Sequence, residues 1–292
     1  MAERFSRDSM RLGGILTAMV TPFDADGGLA EDAASRLIRH LLENGSDGIV
    51  LAGSTGEGAT MTDEEKVRLW EVGVAESGDA PIIAGTGTYD TRHSVELTER
   101  AHEAGVDGML VVTPYYVRPN RRGIIAHYTA VAAATDRPIV AYNIPSRTAT
   151  DMPNDLLAEL AADIDNVAAV KQARYEDLAP IEGMELLAGN DDVLAKVMDM
   201  GGAGGICVSS NLIGTEMRRV IDEPDRRQEI EDGLRDLYKA MFVTTNPIPV
   251  KAALNMIGMD VGPVRLPLVE ASEEERTVIR EALERHNLLA AV

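Results

Sequence analysis

Eight short apolar runs recur along the chain, separated by longer segments in which apolar and charged residues alternate with helical spacing. Each run is four to six residues long, which is the usual length of a buried β-strand. The predicted strands are Ile15–Val20, Gly48–Leu51, Pro81–Ala84, Gly108–Val112, Pro138–Tyr142, Val167–Val170, Glu185–Ala188 and Gly204–Val208.

The segments between these strands predict amphipathic helices. Several have start signals, such as Thr62 followed by three acidic residues, and several end near a glycine. The predicted helices are Glu31–Glu43, Asp63–Glu76, Thr91–Glu103, Arg121–Thr135, Asn154–Ala162, Arg174–Ile181, Asp191–Met200 and Gly214–Ile221.

Alternating strands and helices predict parallel β-structure of the α/β class. Eight such units indicate a closed (β/α)8 TIM barrel, because the alternative, an open doubly wound sheet, more often has fewer strands. Three further helices then follow without strands: Asp225–Val243, Ile248–Ile257 and Ser272–Leu289. We therefore predict a barrel with the active site in residues 1–224 and a C-terminal helical appendage in residues 225–292.

The charge of the chain is strongly negative, with 48 acidic against 28 basic residues and a net charge of −20. Such a field argues against nucleic acid or an anionic membrane as a partner, and it suggests a protein suited to high salt. No segment is long and apolar enough to span a membrane, and Met1–Arg11 has no apolar core of a secretion signal. The single cysteine, Cys207, fits a reducing cytoplasm.

Lys171 directly follows the apolar run Val167–Val170 and is one of only five lysines, against 23 arginines. A lysine with its stem in the core and its amine at a strand end can lose its proton and attack a carbonyl. The first hypothesis is therefore Schiff-base chemistry. The plainer interpretation is a lysine that extends its amine to the surface.

In a barrel of this kind the active site lies at the C-terminal ends of the strands. The residues at the C-terminal ends of the eight apolar runs include a lysine, three tyrosines, several hydroxyls and an arginine. This set suits carbonyl chemistry. The backbone amides of Gly53–Glu57, with Ser54 and Thr55, can bind a small carboxylate, and Arg147 can bind a second one. The tyrosine hydroxyl of Tyr142 can transfer protons.

Two other classes of protein have to be weighed. Gly53–Gly58 follows a strand and precedes a helix, as a dinucleotide loop does, but its spacing is G-x-x-G-x-G and no ribose-binding acid follows the next strand. A non-catalytic binding module on the same fold is the second alternative. The five histidines are scattered over predicted helices, so we predict no metal site and no cofactor.

Taken together, these motifs resemble the dihydrodipicolinate synthase / N-acetylneuraminate lyase family of class I aldolases, from about Gly14 to Leu268. The resemblance is carried by Thr21-Pro22-Phe23, Gly53-Ser54-Thr55-Gly56-Glu57, Ala84-Gly85-Thr86-Gly87, Thr113-Pro114-Tyr115-Tyr116, Tyr142-Asn143-Ile144-Pro145-Ser146-Arg147-Thr148 and Lys171.

The resemblance implies a role for each matching residue. Lys171 forms the Schiff base with pyruvate, and Tyr142 donates and accepts protons. Ser54 and Tyr116 complete the proton relay of Tyr142. The pyruvate carboxylate is held by Thr55 and the backbone at Ile206, and the second substrate is received by Arg147.

The motif around Arg147 looks like the synthase branch, which condenses pyruvate with aspartate semialdehyde on the route to diaminopimelate and lysine. Ser54 and Gln172 depart from that branch, where threonine and glutamate are usual, and they are common in neuraminate lyases. The synthase is favoured because a substrate carboxylate needs Arg147. The alternative is an aldolase of N-acetylneuraminate or of a 2-keto-3-deoxy sugar acid.

The resemblance also implies a homotetramer built as a dimer of dimers, in which Tyr116 reaches into the neighbouring site. Family members with lysine feedback have a polar pocket at the subunit contact. The matching positions here depart from that pattern, which puts lysine feedback in doubt; they are Gly58, Ala59, Asp63, Lys66, Tyr89 and His93.

Overall fold

The computed structural model describes residues 12–289. The expectation that Met1–Arg11 is not a secretion signal lies outside these residues. Within them, eight parallel strands close into a barrel in sequence order, with β1 paired to β8, so the predicted (β/α)8 fold is confirmed. The strands are β1 Gly14–Ala18, β2 Gly48–Leu51, β3 Ile82–Gly85, β4 Gly108–Val112, β5 Ile139–Asn143, β6 Val167–Gln172, β7 Glu185–Ala188 and β8 Gly204–Cys207.

The helices surround the barrel and continue beyond it. They are α1 Glu31–Glu43, α2 Asp63–Glu76, α3 Thr91–Glu103, α4 Arg121–Ala132, α5 Pro145–Thr148, α6 Asn154–Asp163, α7 Leu194–Asp199, α8 Ser210–Asp222, α9 Arg227–Met241, α10 Ile248–Met256 and α11 Glu273–Arg285. The start signal at Thr62 is a capping box, in which the Thr62 hydroxyl accepts from the backbone of Glu65 and the Glu65 carboxylate accepts from that of Thr62.

The predicted helix Arg174–Ile181 is wrong, because the chain between β6 and β7 contains only turns. Pro180 disfavours a helical conformation at the residue before it, which leaves room for little more than one turn. Asp177 adopts a positive φ of 52°, and its carbonyl accepts a hydrogen bond from Asn154 at the start of α6. This side of the barrel therefore lacks its own outer helix.

The segments after β5 and β8 also differ from the prediction. The one-turn helix α5 has no predicted counterpart, and it places Arg147 at the mouth of the barrel. Helix α8 begins at Ser210 rather than Gly214 and is kinked at Ile213. Its first turn is held there because Asn211 Nδ2 donates to the carbonyl oxygen of Ala18, 2.8 Å away.

The core has two layers, as strands with alternating side chains require. One layer fills the inside of the barrel and contains Leu16, Val50, Ile83, Leu110, Val140, Tyr142, Ala169, Leu187 and Ile206. The other lies between the strands and the helices and also includes buried residues of α9, α10 and α11. The division at residues 224 and 225 remains a prediction. No helix within residues 12–289 is long and apolar enough to cross a membrane.

A buried ion pair joins the C-terminal helices to the loop after β2. Lys251 Nζ on α10 lies 2.7 Å from Glu57 Oε1, and the two side chains are 2% and 1% exposed. Glu57 Oε2 also accepts from the backbone of Arg265 at 2.8 Å. Burial lowers the pKa of Lys251, although Glu57 opposes that shift. Removing either partner of such a pair leaves a buried charge and costs about 3–5 kcal/mol.

Candidate active site

A cavity of about 490 Å³ opens at the C-terminal ends of the strands. It is lined by the segments that follow β2, β3, β4 and β5, and by residues from the start of α10. Its wall includes Ser54, Tyr115, Tyr142, Arg147 and Asn246. The motifs that follow different strands in the sequence are therefore brought to one face of the barrel.

Lys171 is the residue before last of β6, and its side chain is turned into the barrel. The residue is 5% exposed, and its register partners are Tyr142 on β5 and Leu187 on β7. The amine lies 4.4 Å from the centre of the Tyr142 ring. The stem is thus in the core, and the amine lies beside the Tyr142 ring.

The loop Gly53–Gly58 turns tightly back on the end of β2. Ala52 and Glu57 both adopt positive φ angles, of 54° and 53°. A Cβ at Gly58 would lie 2.0 Å from the carbonyl oxygen of Ala52, so only glycine fits there. The turn exposes Ser54 in the cavity, whereas Thr55 is 4% exposed and its Oγ1 accepts from Asn246 Nδ2 at 2.9 Å.

Arg147 stands on α5, directly after β5 and Tyr142. Its Nη2 donates to the carbonyl oxygen of Asn246 at 3.0 Å, and the residue is otherwise exposed at the mouth of the cavity. The carbonyl holds one edge of the guanidinium group. The remaining donors are free to bind a planar anion such as a carboxylate.

Two predicted site residues lie apart from this group. Ile206 is fully buried on β8 in the inner layer of the barrel, and its backbone pairs with Leu16. Tyr116 is 89% exposed and has a positive φ of 67°. Its neighbour Tyr115 lines the cavity and packs edge-on against Tyr89, with ring centres 5.5 Å apart. Tyr116 is thus not brought to the cavity within one chain.

Gln172 has a structural role that the sequence did not reveal. Because side chains alternate along a strand, Gln172 points away from the face that carries Lys171. It is 2% exposed, and its Oε1 accepts from Asn143 Nδ2 at 3.0 Å. Asn143 also binds the backbone of Met152 through both ends of its amide. The Gln172 departure therefore carries little information about the substrate.

Asp191 is a second residue that the sequence left unassigned. It is 2% exposed, and its carboxylate accepts from the backbone amides of Val208 and Ser209 at 2.8 and 2.7 Å. Burial raises its pKa, and these hydrogen bonds oppose the shift. A carboxylate that follows β7 could have been noted in the sequence, but its two partners after β8 could not. It fixes the β8–α8 turn.

The residues that match the family's lysine pocket line the outer part of the same cavity. Asp63 Oδ2 accepts a hydrogen bond from His93 Nε2 at 2.9 Å, and Lys66 Nζ lies 3.6 Å from Asp63 Oδ1. Burial lowers the pKa of Lys66, while Asp63 opposes the shift. The polar groups of this region are thus already paired with one another. Among residues 12–289 no cluster of three potential metal ligands is found.

The closed parallel barrel has its cavity at the C-terminal ends of the strands, which is where enzymes of the (β/α)8-barrel class carry their active sites. The chain belongs to the dihydrodipicolinate synthetase family, whose model matches residues 11–286. It is 44% identical to a 4-hydroxy-tetrahydrodipicolinate synthase of Moorella thermoacetica, over 96% of this chain and 100% of that protein.

Solved structures agree with this assignment. A lysine-bound dihydrodipicolinate synthase from Cyanidioschyzon merolae is 37% identical, with a TM-score of 0.91 over 95% of this chain and 99% of the other. A chloride-inhibited dihydrodipicolinate synthase from Acinetobacter baumannii, complexed with pyruvate, is 33% identical with a TM-score of 0.91, over 95% of this chain and 100% of the other. The family resemblance read from the motifs is confirmed.

Proposed function

We propose that this protein is a lyase that condenses pyruvate with L-aspartate 4-semialdehyde to 4-hydroxy-tetrahydrodipicolinate, on the route to diaminopimelate and lysine. The observation that carries the proposal is the buried Lys171, 4.4 Å from the Tyr142 ring, below a cavity whose rim carries Arg147. The 4-hydroxy-tetrahydrodipicolinate synthase relative and the pyruvate complex of a family member support the choice of reaction and first substrate.

In the proposed mechanism the Lys171 amine attacks the keto carbon of pyruvate, and loss of water gives an imine. We propose that Tyr142, whose ring centre lies 4.4 Å from the amine, moves protons during both steps through its hydroxyl. Deprotonation of the pyruvate methyl group then gives an enamine, which attacks the aldehyde carbon while the aldehyde oxygen takes up a proton. The amino group of the semialdehyde then attacks the imine carbon, which releases the Lys171 amine and closes the ring of the product. We propose that Ser54, exposed in the cavity, passes protons between Tyr142 and solvent.

The pyruvate carboxylate is proposed to bind the Thr55 hydroxyl, in the loop after β2, and the backbone at Ile206, the residue before last of β8, because both lie towards the C-terminal ends of the strands. Arg147 is proposed to bind the carboxylate of the semialdehyde with the guanidinium donors that Asn246 leaves free. The two substrates would then be held by separate groups at the same end of the barrel, with the reacting carbons between them.

An aldolase of N-acetylneuraminate or of a 2-keto-3-deoxy sugar acid is the second candidate. Ser54 favours it by sequence, but Gln172 no longer does, since that side chain is buried against Asn143. A coupled assay of the purified protein with pyruvate and each candidate aldehyde separates the two functions. Faster cleavage of either sugar acid than condensation of the semialdehyde would contradict the synthase.

The Arg147→Ala protein is expected to lose the semialdehyde reaction while still forming the pyruvate imine on Lys171. A charge-assisted bidentate pair contributes about 1.5–3 kcal/mol, so kcat/KM for the semialdehyde should fall roughly tenfold to a hundredfold. Steady-state kinetics and borohydride trapping measure the two effects. An unchanged kcat/KM of the Arg147→Ala protein for the semialdehyde would show that Arg147 does not bind this substrate.

We further propose a cytoplasmic homotetramer, a dimer of dimers in which Tyr116 completes the relay of a neighbouring subunit. The support is the geometry of Tyr116, which is 89% exposed on a strained backbone beside the cavity residue Tyr115. Such an exposed aromatic ring suits a contact between subunits. The buried free thiol of Cys207 is consistent with a reducing compartment.

Salt is expected to stabilise the protein, because the excess of 20 acidic charges repels itself most strongly when it is unscreened. The Debye length falls from ~10 Å at 0.1 M to ~3 Å at 1 M salt, which weakens this repulsion. Melting curves in KCl and in potassium glutamate should both shift upward, and the second salt separates screening from chloride binding. A Tm that stays flat or falls in both salts would refute adaptation to high salt.

A further inference from the structure

Asn246 lies between the two proposed carboxylate sites and contacts a residue of each. Its side-chain Nδ2 donates to Thr55 Oγ1 at 2.9 Å, and its backbone oxygen accepts from Arg147 Nη2 at 3.0 Å. The residue is 7% exposed and lines the cavity. It belongs to the segment that leads into α10, 191 residues from Thr55 along the chain.

The direction of the hydrogen bond to Thr55 has a chemical consequence. A threonine hydroxyl has one hydrogen to donate and two lone pairs that accept. Because Asn246 Nδ2 is a donor, it occupies a lone pair of Thr55 Oγ1 and leaves the hydroxyl hydrogen unused. That hydrogen can then point to a substrate carboxylate, which accepts hydrogen bonds and donates none.

The position of Asn246 is fixed by the buried ion pair described above. Lys251 lies on the first turns of α10, and its bond to Glu57 connects that helix to the loop that carries Thr55. Two contacts therefore join the loop to α10 and the residues just before it: the hydrogen bond from Asn246 to Thr55 and the ion pair of Lys251 with Glu57. This arrangement holds the Asn246 amide against the Thr55 hydroxyl.

We propose that Asn246 is a positioning residue that orients the Thr55 hydroxyl as a donor to the pyruvate carboxylate and, through its backbone oxygen, holds Arg147 for the second substrate. The inference rests on the proposed function and deepens it, since it names the group that sets the pyruvate site. Asn246 acts through Thr55, so it is expected to affect pyruvate binding more than the chemical steps.

Two variants test the direction of the hydrogen bond between Asn246 and Thr55: one removes the donor, and the other replaces it by an acceptor. Asn246→Leu has a similar volume and removes the donor, so KM for pyruvate should rise about two- to tenfold. Asn246→Asp replaces the donor by an anion that accepts the Thr55 hydrogen and repels the carboxylate, so its KM should rise further. In both variants KM for the semialdehyde should change less, because the backbone oxygen that holds Arg147 remains.

A double-mutant cycle with Thr55→Val shows whether Asn246 acts through that hydroxyl. The readout is the pyruvate concentration that gives half of the borohydride-trapped adduct on Lys171, together with KM. In the Thr55→Val background, Asn246→Leu is expected to have no further effect on either value. Independent, multiplicative effects would overturn the proposal, as would an Asn246→Asp protein that binds pyruvate no more weakly than Asn246→Leu.

Asn255 supplies a matched control on the same helix. It is exposed, lies outside the cavity wall, and binds the backbone of Val261 and Gly262. Asn255→Leu should leave KM for pyruvate unchanged; an equal rise would reduce the Asn246 effect to a general loosening of α10 and overturn the proposal. A wild-type protein that forms no pyruvate adduct would instead contradict the proposed function itself.

Discussion

The Lys171→Ala protein is expected to form no borohydride-trapped pyruvate adduct and to lose condensation to the uncatalysed background. The reason is that imine formation needs a nucleophilic amine, and Lys171 is the amine buried beside Tyr142 inside the barrel. The measurement is mass spectrometry of the peptides after reduction, combined with a condensation assay.

Controls for this experiment come from the small number of lysines. Lys171→Met keeps a long apolar stem in the core, so a stable Lys171→Met protein without adduct separates lost chemistry from lost packing. Lys196 and Lys239 are exposed, and their alanine variants should form the adduct as the wild type does. A wild-type amount of adduct on the Lys171→Ala protein would eliminate the proposed mechanism.

Tyr142→Phe is expected to slow turnover by roughly 10²–10⁴-fold, the usual contribution of a positioned acid–base group. The fold should be retained because the ring stays in the inner layer of the core, and only the hydroxyl is lost. The measurements are kcat at saturating pyruvate and the rate at which the trapped adduct appears. Equal turnover of the variant and the wild type would take Tyr142 out of the proton relay.

Tyr128 provides the matched tyrosine control. It is fully buried on α4, its hydroxyl donates to the backbone oxygen of Val111 at 2.8 Å, and its side chain does not line the cavity. Tyr128→Phe should lower the free energy of unfolding by about 0.5–1.5 kcal/mol and leave kcat unchanged. The two variants remove the same atom, so a difference in kcat reports the position of the hydroxyl.

Much of the fold was predictable because each strand and most helices have a local signal. Apolar runs marked all eight strands, and the shared end of parallel strands placed Tyr142, Arg147 and Lys171 at one face. The helix predicted after β6 failed because Pro180 and the positive φ at Asp177 outweigh its helical pattern. A local pattern of apolar residues does not report such backbone conformations.

Contacts between distant segments could not be predicted in the same way. Glu57 and Lys251 pair across 194 positions, and Asn246 reaches Thr55 across 191. Neither segment alone indicates its partner, since the pairing depends on where the C-terminal helices pack on the barrel. The hydrogen bond between Gln172 and Asn143 on the neighbouring strand has no signature in the sequence either. Without that contact, the sequence alone suggests that Gln172 reports on the substrate.

The buried Glu57–Lys251 pair also bears on the order in which the protein can be completed during its synthesis. The ribosome releases all eight strands, with Lys171 and Tyr142, before it releases Lys251. Until α10 emerges, Glu57 lacks the Lys251 cation and Thr55 lacks its hydrogen bond from Asn246. A nascent chain that ends at residue 224 therefore contains every barrel strand but lacks Asn246 and Lys251, which complete the proposed pyruvate site.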